Sequence, residues 1–139
     1  LKIANLKNEL QQFVDALNKS AIVSKSDISG KITYANSMFC EISGYSLDEL
    51  IGRGHNILRN PSMSKDVFKK MWKTIQAKEI FRGVVKNRKK DGSDYYVDVV
   101  IIPILGIHGE IVEYLAVRYE ITELVHARDK AMLAEKAKN

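Results

Sequence analysis

Between residues 62 and 101 the apolar period of the chain changes from that of a helix to that of a strand, then turns back on itself. Val67, Phe68, Met71, Trp72 and Ile75 fall at i, i+1, i+4, i+5 and i+8, with Lys69, Lys70 and Lys73 off that stripe. The spacing predicts an amphipathic helix. Lys78 and Glu79 end it. From Phe81 the period is two: Phe81, Gly83, Val85 and Asn87 share one face, and Arg82, Lys86 and Arg88 take the other. Asp91-Gly92 predicts a hairpin with a type I′ turn, which needs positive φ at both central residues. Tyr95, Val97, Val99 and Ile101 resume the alternation on the return. Asn87 is the exception on the apolar face. A buried amide needs partners, and either loop backbone or a ligand can supply them. Trp72 is open in the same way, as a core tryptophan or as the wall of a binding site.

The flanking sequence supplies the rest of a small α+β fold. Residues 1–19 predict a helix in which Ile3, Leu6, Leu10, Phe13 and Leu17 recur at spacings of 3, 4, 3 and 4. Such a seam packs on its own domain or on a second copy, and the heptad spacing favours the second copy. Residues 21–29 and 32–35 read as strands around a turn at Gly30-Lys31. Asn36 is placed to cap a helix running through Ser43, and Gly44 to end it. Ser46 and Glu49 form a capping-box pattern for a short helix through Leu50. Gly52 and Gly54 break the chain, residues 55–61 read as irregular, and Ser64 caps the tryptophan helix. The hairpin's second strand extends to about Leu105, and Gly106–Gly109 turns. Ile111 to Ile121 alternates again, with Ile111, Leu115, Val117, Tyr119 and Ile121 on one face. A charged helix follows from Thr122. Three late strands in succession predict an antiparallel sheet with the short helices covering one face.

At 139 residues one domain is expected. The chain opens without methionine and ends in charged helix, as expected of a stretch of a longer protein. No apolar run approaches the ~18 residues of a membrane span, and no basic-then-apolar leader is present. The only cysteine is Cys40, which excludes an internal disulfide and fits a cytoplasmic setting. The net charge of +5 raises the question of nucleic acid. The lysines are scattered over helix faces, and the cluster Lys86, Arg88, Lys89 and Lys90 reads as a solvated turn, so no nucleic-acid partner is expected. His55, His108 and His126 do not fall at metal-ligand spacing, and the tryptophan helix has no histidine for a haem. No triad order, phosphate loop or carboxylate pair points to an enzyme.

The segments ITYANSMFCEISGYSLDELIG, GHNILRNPSM, FKKMWKTI, FRGVVKNRKKDGSDYYV and RYEITE, in this order, together resemble a PAS domain over about residues 20–123. The resemblance implies five antiparallel strands and short helices forming a half-open cup around a small-molecule pocket. It also implies a dimerising helix before the domain (1–19), the sensor domain itself (20–122) and a signalling linker helix after it (123–139). Within the family, Trp72 followed by Asn87-Arg88-Lys89-Lys90-Asp91-Gly92 is most similar to the flavin-binding domains of aerotaxis receptors and nitrogen-fixation redox sensors. That likeness implies FAD as cofactor, with Trp72 lining the ring system and Asn87 bonding its polar edge. Asn36, His55 and Arg59 are further cofactor-site candidates. The sequence departs from that subgroup at Asn60, Ser62 and Phe81, and from the family's closing Asp-Ile-Thr triplet at Glu120. The implied role is a sensory module, itself not an enzyme, that relays a redox or oxygen signal through its last helix to an effector, a histidine kinase above all. A ligand-free domain that dimerises and relays to a kinase or a diguanylate cyclase is the alternative.

Overall fold

The computed structural model describes residues 2–138; residues 1 and 139, the outer ends of the two predicted terminal helices, lie outside the described residues. In chain order the elements are α1 (Lys2–Ser20), β1 (Ile22–Ser26), β2 (Ile32–Ala35), α2 (Ser37–Ser43) and α3 (Leu47–Leu50). A 3-10 turn (His55–Leu58) follows, then α4 (Lys65–Gln76), β3 (Phe81–Arg88), β4 (Asp94–Leu105), β5 (Ile111–Glu120) and α5 (Thr122–Lys138). The five strands form one antiparallel sheet in the order β2-β1-β5-β4-β3. The first strand and the last are therefore central neighbours. Helices α2 to α4 cover one face, and the core between them holds Ile22, Ile32, Phe39, Leu50, Ile75, Tyr95 and Val97. Burying each such side chain contributes about 1.5–3 kcal/mol.

The helix boundaries follow from their caps. The Asn36 side chain accepts from Phe39 N to open α2, and Gly44 closes it at φ 80°. Ser46 and Glu49 make a full capping box on α3, and Ser64 accepts from Asp66 N to open α4. The predicted irregular stretch after Gly54 contains one 3-10 turn, because its backbone bonds run three residues back.

The hairpin at Asp91-Gly92 forms, but with a different turn from the type I′ expected. Only Gly92 has positive φ, at 91°. Gly92 N donates to Lys89 O at 3.0 Å and Lys89 N donates to Ser93 O at 2.8 Å, so Lys90 and Asp91 turn in the right-handed sense and Gly92 absorbs the reversal. This is a type I turn closed by a glycine bulge. The Asp91 carboxylate stabilises it by accepting from Ser93 N and Ser93 Oγ. The same bonding recurs at Asp27–Lys31 around Gly30, which makes β1 shorter than the predicted 21–29, and at Gly106–Glu110 around Gly109.

Strand β5 carries the second correction. Its apolar alternation, Leu115, Val117 and Tyr119, lies on the outer side of the sheet. The register pairs Val99 with Arg118 and Ile101 with Ala116, so the inner face receives Tyr114, Ala116 and Arg118, all buried. The arginine's presence on that face is what sequence alternation hid.

Helix α1 projects from the domain with no buried residue. Its seam is open to solvent, from Ile3 at 71% to Leu17 at 40% exposure. Of the two outlets for that stripe, packing on its own domain is not the one taken. Among the described residues no helix is long and apolar enough to cross a membrane.

Candidate functional site

A cavity of about 470 Å³ lies between the inner sheet face and the helices, within the range of small-molecule sites. Val85, Val97, Val99, Ile101 and Ala116 form its floor, and Phe68, Met71, Trp72 and Ile75 of α4 form one wall. The α4 stripe is thus the wall of a cup rather than the plug of a closed core. Trp72 meets Tyr114 edge to face, with centroids 5.9 Å apart and planes at 87°. On its other side the indole reaches the β1–β2 turn, where a Cβ on Gly30 would lie 2.9 Å from Cη2.

Asn87 lines the same cavity from β3 and is buried, at 8% exposure. Its backbone is bridged by Arg59, and its carbonyl is approached by Asn60 Nδ2 at 3.5 Å. Its side-chain amide lies beside the Tyr95 phenol, whose pKa it lowers, and no sealed polar atom is left unpartnered among the described residues. Asn87 thus borders the cavity while its amide stays within reach of the phenol. Across the β3–β4 ladder it faces Tyr95, whose phenol is pushed up to about 12 by burial, with the Arg118 charge and the Asn87 amide pulling the other way.

A second polar group reaches the cavity from β1, β5 and the 3-10 turn. Arg118 Nη1 donates to Ser24 Oγ at 3.1 Å, and Ser24 Oγ lies 3.0 Å from His55 Nε2. Since the guanidinium can only donate, the serine hydroxyl is free to donate to Nε2, which leaves His55 neutral with its proton on Nδ1. Burial first, and the Arg118 charge second, hold the imidazole down to about 3. Burial also lowers Arg118, to about 10, so it stays charged near neutrality.

Four of the five cofactor-site candidates, Trp72, Asn87, His55 and Arg59, converge on this cavity. Arg59 lies at its rim, with its guanidinium carbon 3.9 Å from the Phe68 ring centroid. Asn36 is not brought there. Its Oδ1 accepts from Val23 N and Phe39 N, and its Nδ2 donates to Ala21 O and Asn18 Oδ1. Both donors and both lone pairs are occupied in tying α2 to β1 and to the end of α1. Cys40 packs against the core and does not line the cavity. The basic cluster at the hairpin turn is partly neutralised: Lys90 pairs with Glu49 at 2.8 Å and Lys86 with Asp94 at 3.5 Å.

A half-open cup of five antiparallel strands, with helices on one face and a long hairpin as its rim, is matched over residues 8–118 by the family described as the PAS fold. The chain belongs to the PAS family. The aerotaxis receptor of Escherichia coli strain K12 is 37% identical over 113 residues, covering 81% of this chain and 22% of the receptor. The nitrogen fixation regulatory protein of Klebsiella pneumoniae is 35% identical over 103 residues, covering 74% and 21%. This PAS chain therefore spans about a fifth of the length of those relatives. Among solved structures, a light-oxygen-voltage domain from work with a flavin analogue superposes with a TM-score of 0.74 at 28% identity, covering 91% of this chain and 95% of that one. The PAS domain of a Colwellia psychrerythraea protein shares the fold, with a TM-score of 0.72 at 23% identity and coverage of 82% and 98%.

Sequence reasoning about this PAS domain missed one residue lining the cup, Arg118, and two that brace its walls, Ser24 and Asn60. Ser24 sits in a short strand with no sign of its partners. Arg118 alternates with the apolar residues Leu115, Val117 and Tyr119, and the β4–β5 register turns it inward. Asn60 read as a departure from the aerotaxis-type pattern. It is buried, donating to Asp94 Oδ1 at 2.6 Å and accepting from Ser62 N and Oγ, and so it fastens the Arg59 loop to the hairpin.

Proposed function

We propose that this PAS domain is the sensory module of a signal-transduction protein, most simply a histidine kinase, and that its cup binds FAD as a redox or oxygen sensor. The observation that carries this reading is the Asn87 amide: buried, bordering the cavity, and opposite an aromatic wall. A flavin supplies reversible electron transfer when bound. The residues suit its shape and rim. Trp72 and Phe68 offer aromatic surface, and Asn87 offers a group that can donate through Nδ2 or accept through Oδ1. By turning over, the amide can follow a ligand atom that changes from acceptor to donor. Beyond the rim, a shallow depression shares Arg59, Phe68 and Trp72 with the cup and adds Lys65, Lys69 and Lys73. Those cations favour a ligand with a phosphate tail leaving the cup, which suits a dinucleotide.

The relay runs through two adjacent rungs of the sheet. Asn87 pairs with Tyr95 and Lys86 with Tyr96, and Tyr96 N donates to Thr122 Oγ1 at the start of α5 while its carbonyl accepts from Ile121 N. A shift of the Asn87 amide is thus two residues from the exit helix. The domain limits are residues 20–122, with the exposed α1 seam pairing two copies and α5 leading to the effector.

The test is the visible spectrum of the purified protein. A yellow protein absorbing near ~450 nm, the flavin band, and bleached by dithionite supports the proposal. Asn87→Ala should keep the fold and weaken the flavin. The exposed α1 seam favours a second reading, a ligand-free domain that only dimerises and relays; a colourless dimer that stays apo in excess FAD selects it.

A further inference from the structure

Arg118 is the only charged side chain that is buried among the described residues, at 7% exposure. It stands on the inner face of β5 and lines the cavity. No carboxylate lies within ion-pair distance of it among the described residues. The acid two positions on, Glu120, is exposed and accepts from Thr122 Oγ1. Among the described residues, of the guanidinium's nitrogens only Nη1 has a hydrogen-bond partner, Ser24, and Ser24 is itself aimed at a neutral histidine. Phe39 lies to one side, its ring centroid 5.2 Å from Cζ. Because no sealed polar atom lacks a partner among the described residues, the remaining donors open on the cavity that Arg118 lines.

A buried cation with no anion is costly, since its desolvation is not offset by a partner. Arginine cannot escape by releasing its proton near neutrality. The other titratable groups around it do not help: His55 and Tyr95 are both neutral. Charge balance therefore has to come from whatever enters the cup.

We infer that Arg118 is a ligand-binding residue, whose guanidinium takes an electron-rich, negatively charged edge of the ligand and so makes the cup prefer the more anionic of two ligand states. This rests on the flavin reading above. Reduction of a bound flavin by dithionite, itself oxidised to sulfite, adds two electrons to the ring and one proton from solvent, so the ligand gains one negative charge. A fixed cation beside it favours that state.

The experiment uses the full chain with FAD, as wild type, Arg118→Gln and Arg118→Lys. The midpoint potential is measured by dye-equilibrated dithionite titration, and the thermal midpoint of each apoprotein is measured in parallel. In Arg118→Gln the preference for reduced over oxidised flavin should fall about tenfold, a potential about 30 mV lower for a two-electron couple. Arg118→Lys should recover most of that shift. Apo Arg118→Gln should melt no lower than wild type, because the empty cup gains nothing from this charge. An unchanged potential in Arg118→Gln overturns the inference while leaving flavin binding intact. An apo Arg118→Gln protein that melts lower or does not fold overturns it too, since the arginine would then be holding the fold. A wild-type protein that takes up no FAD overturns the flavin reading and this inference with it.

Discussion

Tyr96 and His126 meet edge to face, with ring centroids 6.2 Å apart and planes at 84°. Tyr96 is on the outer side of β4, and Lys86 Nζ lies 5.7 Å from its ring centroid. His126 is in the second turn of α5, one residue beyond Val125, the buried residue of that helix. The pair fixes how the exit helix leaves the sheet. His126→Ala should cost about 1 kcal/mol, the usual worth of such an aromatic pair. It should also raise amide exchange in the first turns of α5 relative to the sheet, measurable by hydrogen exchange.

His55 makes the fold sensitive to acid. Its folded pKa of about 3 is below the ordinary 6.5, so between those values the unfolded chain holds a proton that the native imidazole does not. Stability from this group is complete above pH 6.5 and is lost as the pH falls toward 3. Urea unfolding should show up to about 3 kcal/mol lost by pH 4 relative to His55→Gln. By NMR the imidazole should not titrate between pH 5 and 8.

Asn36→Ala separates structure from binding. The substitution removes an N-cap, worth about 1 kcal/mol, and strips partners from Val23 N and Ala21 O, a further 1–3 kcal/mol or so. A loss of roughly 3 kcal/mol in chemical denaturation is expected from these two terms. Because the residue does not line the cup, the folded fraction should bind ligand with wild-type affinity in equilibrium titration.

Gly30 is constrained twice, by φ of +92° and by the Trp72 ring against it. Gly30→Ala should cost about 1–2 kcal/mol in backbone strain and push the indole away from the turn. Trp72 is the chain's only tryptophan, so a shift in intrinsic fluorescence reports the displacement directly. The cup should widen on that side and hold its ligand less tightly.

The features that could be read in advance are those decided by neighbours in sequence. Asn36, Ser46 and Ser64 act as caps because a cap needs only its own side chain and the next turn. The α4 stripe and the β3–β4 alternation held because they express a local period. What stayed hidden depends on partners far along the chain. The turn after Arg88 takes its form from a glycine bulge, which Asp-Gly alone does not distinguish from type I′. Arg118 faces inward because Val99 does, through a register that no window around residue 118 contains. Asn36 and Asn87 are the same residue type in equally suggestive motifs. Only the contacts tell them apart: one amide is saturated by backbone and the Asn18 side chain, and the other borders a cavity.

The pairing of Ile22 with Arg118 means that α1 enters and α5 leaves from the same end of two neighbouring antiparallel strands. A pull exerted through these two helices loads the hydrogen bonds of that ladder in succession, beginning with the rung nearest the load. The seam at the middle of the sheet would unzip at low force instead of resisting as a shear lock, and the rung that carries Arg118 would be among the first to part.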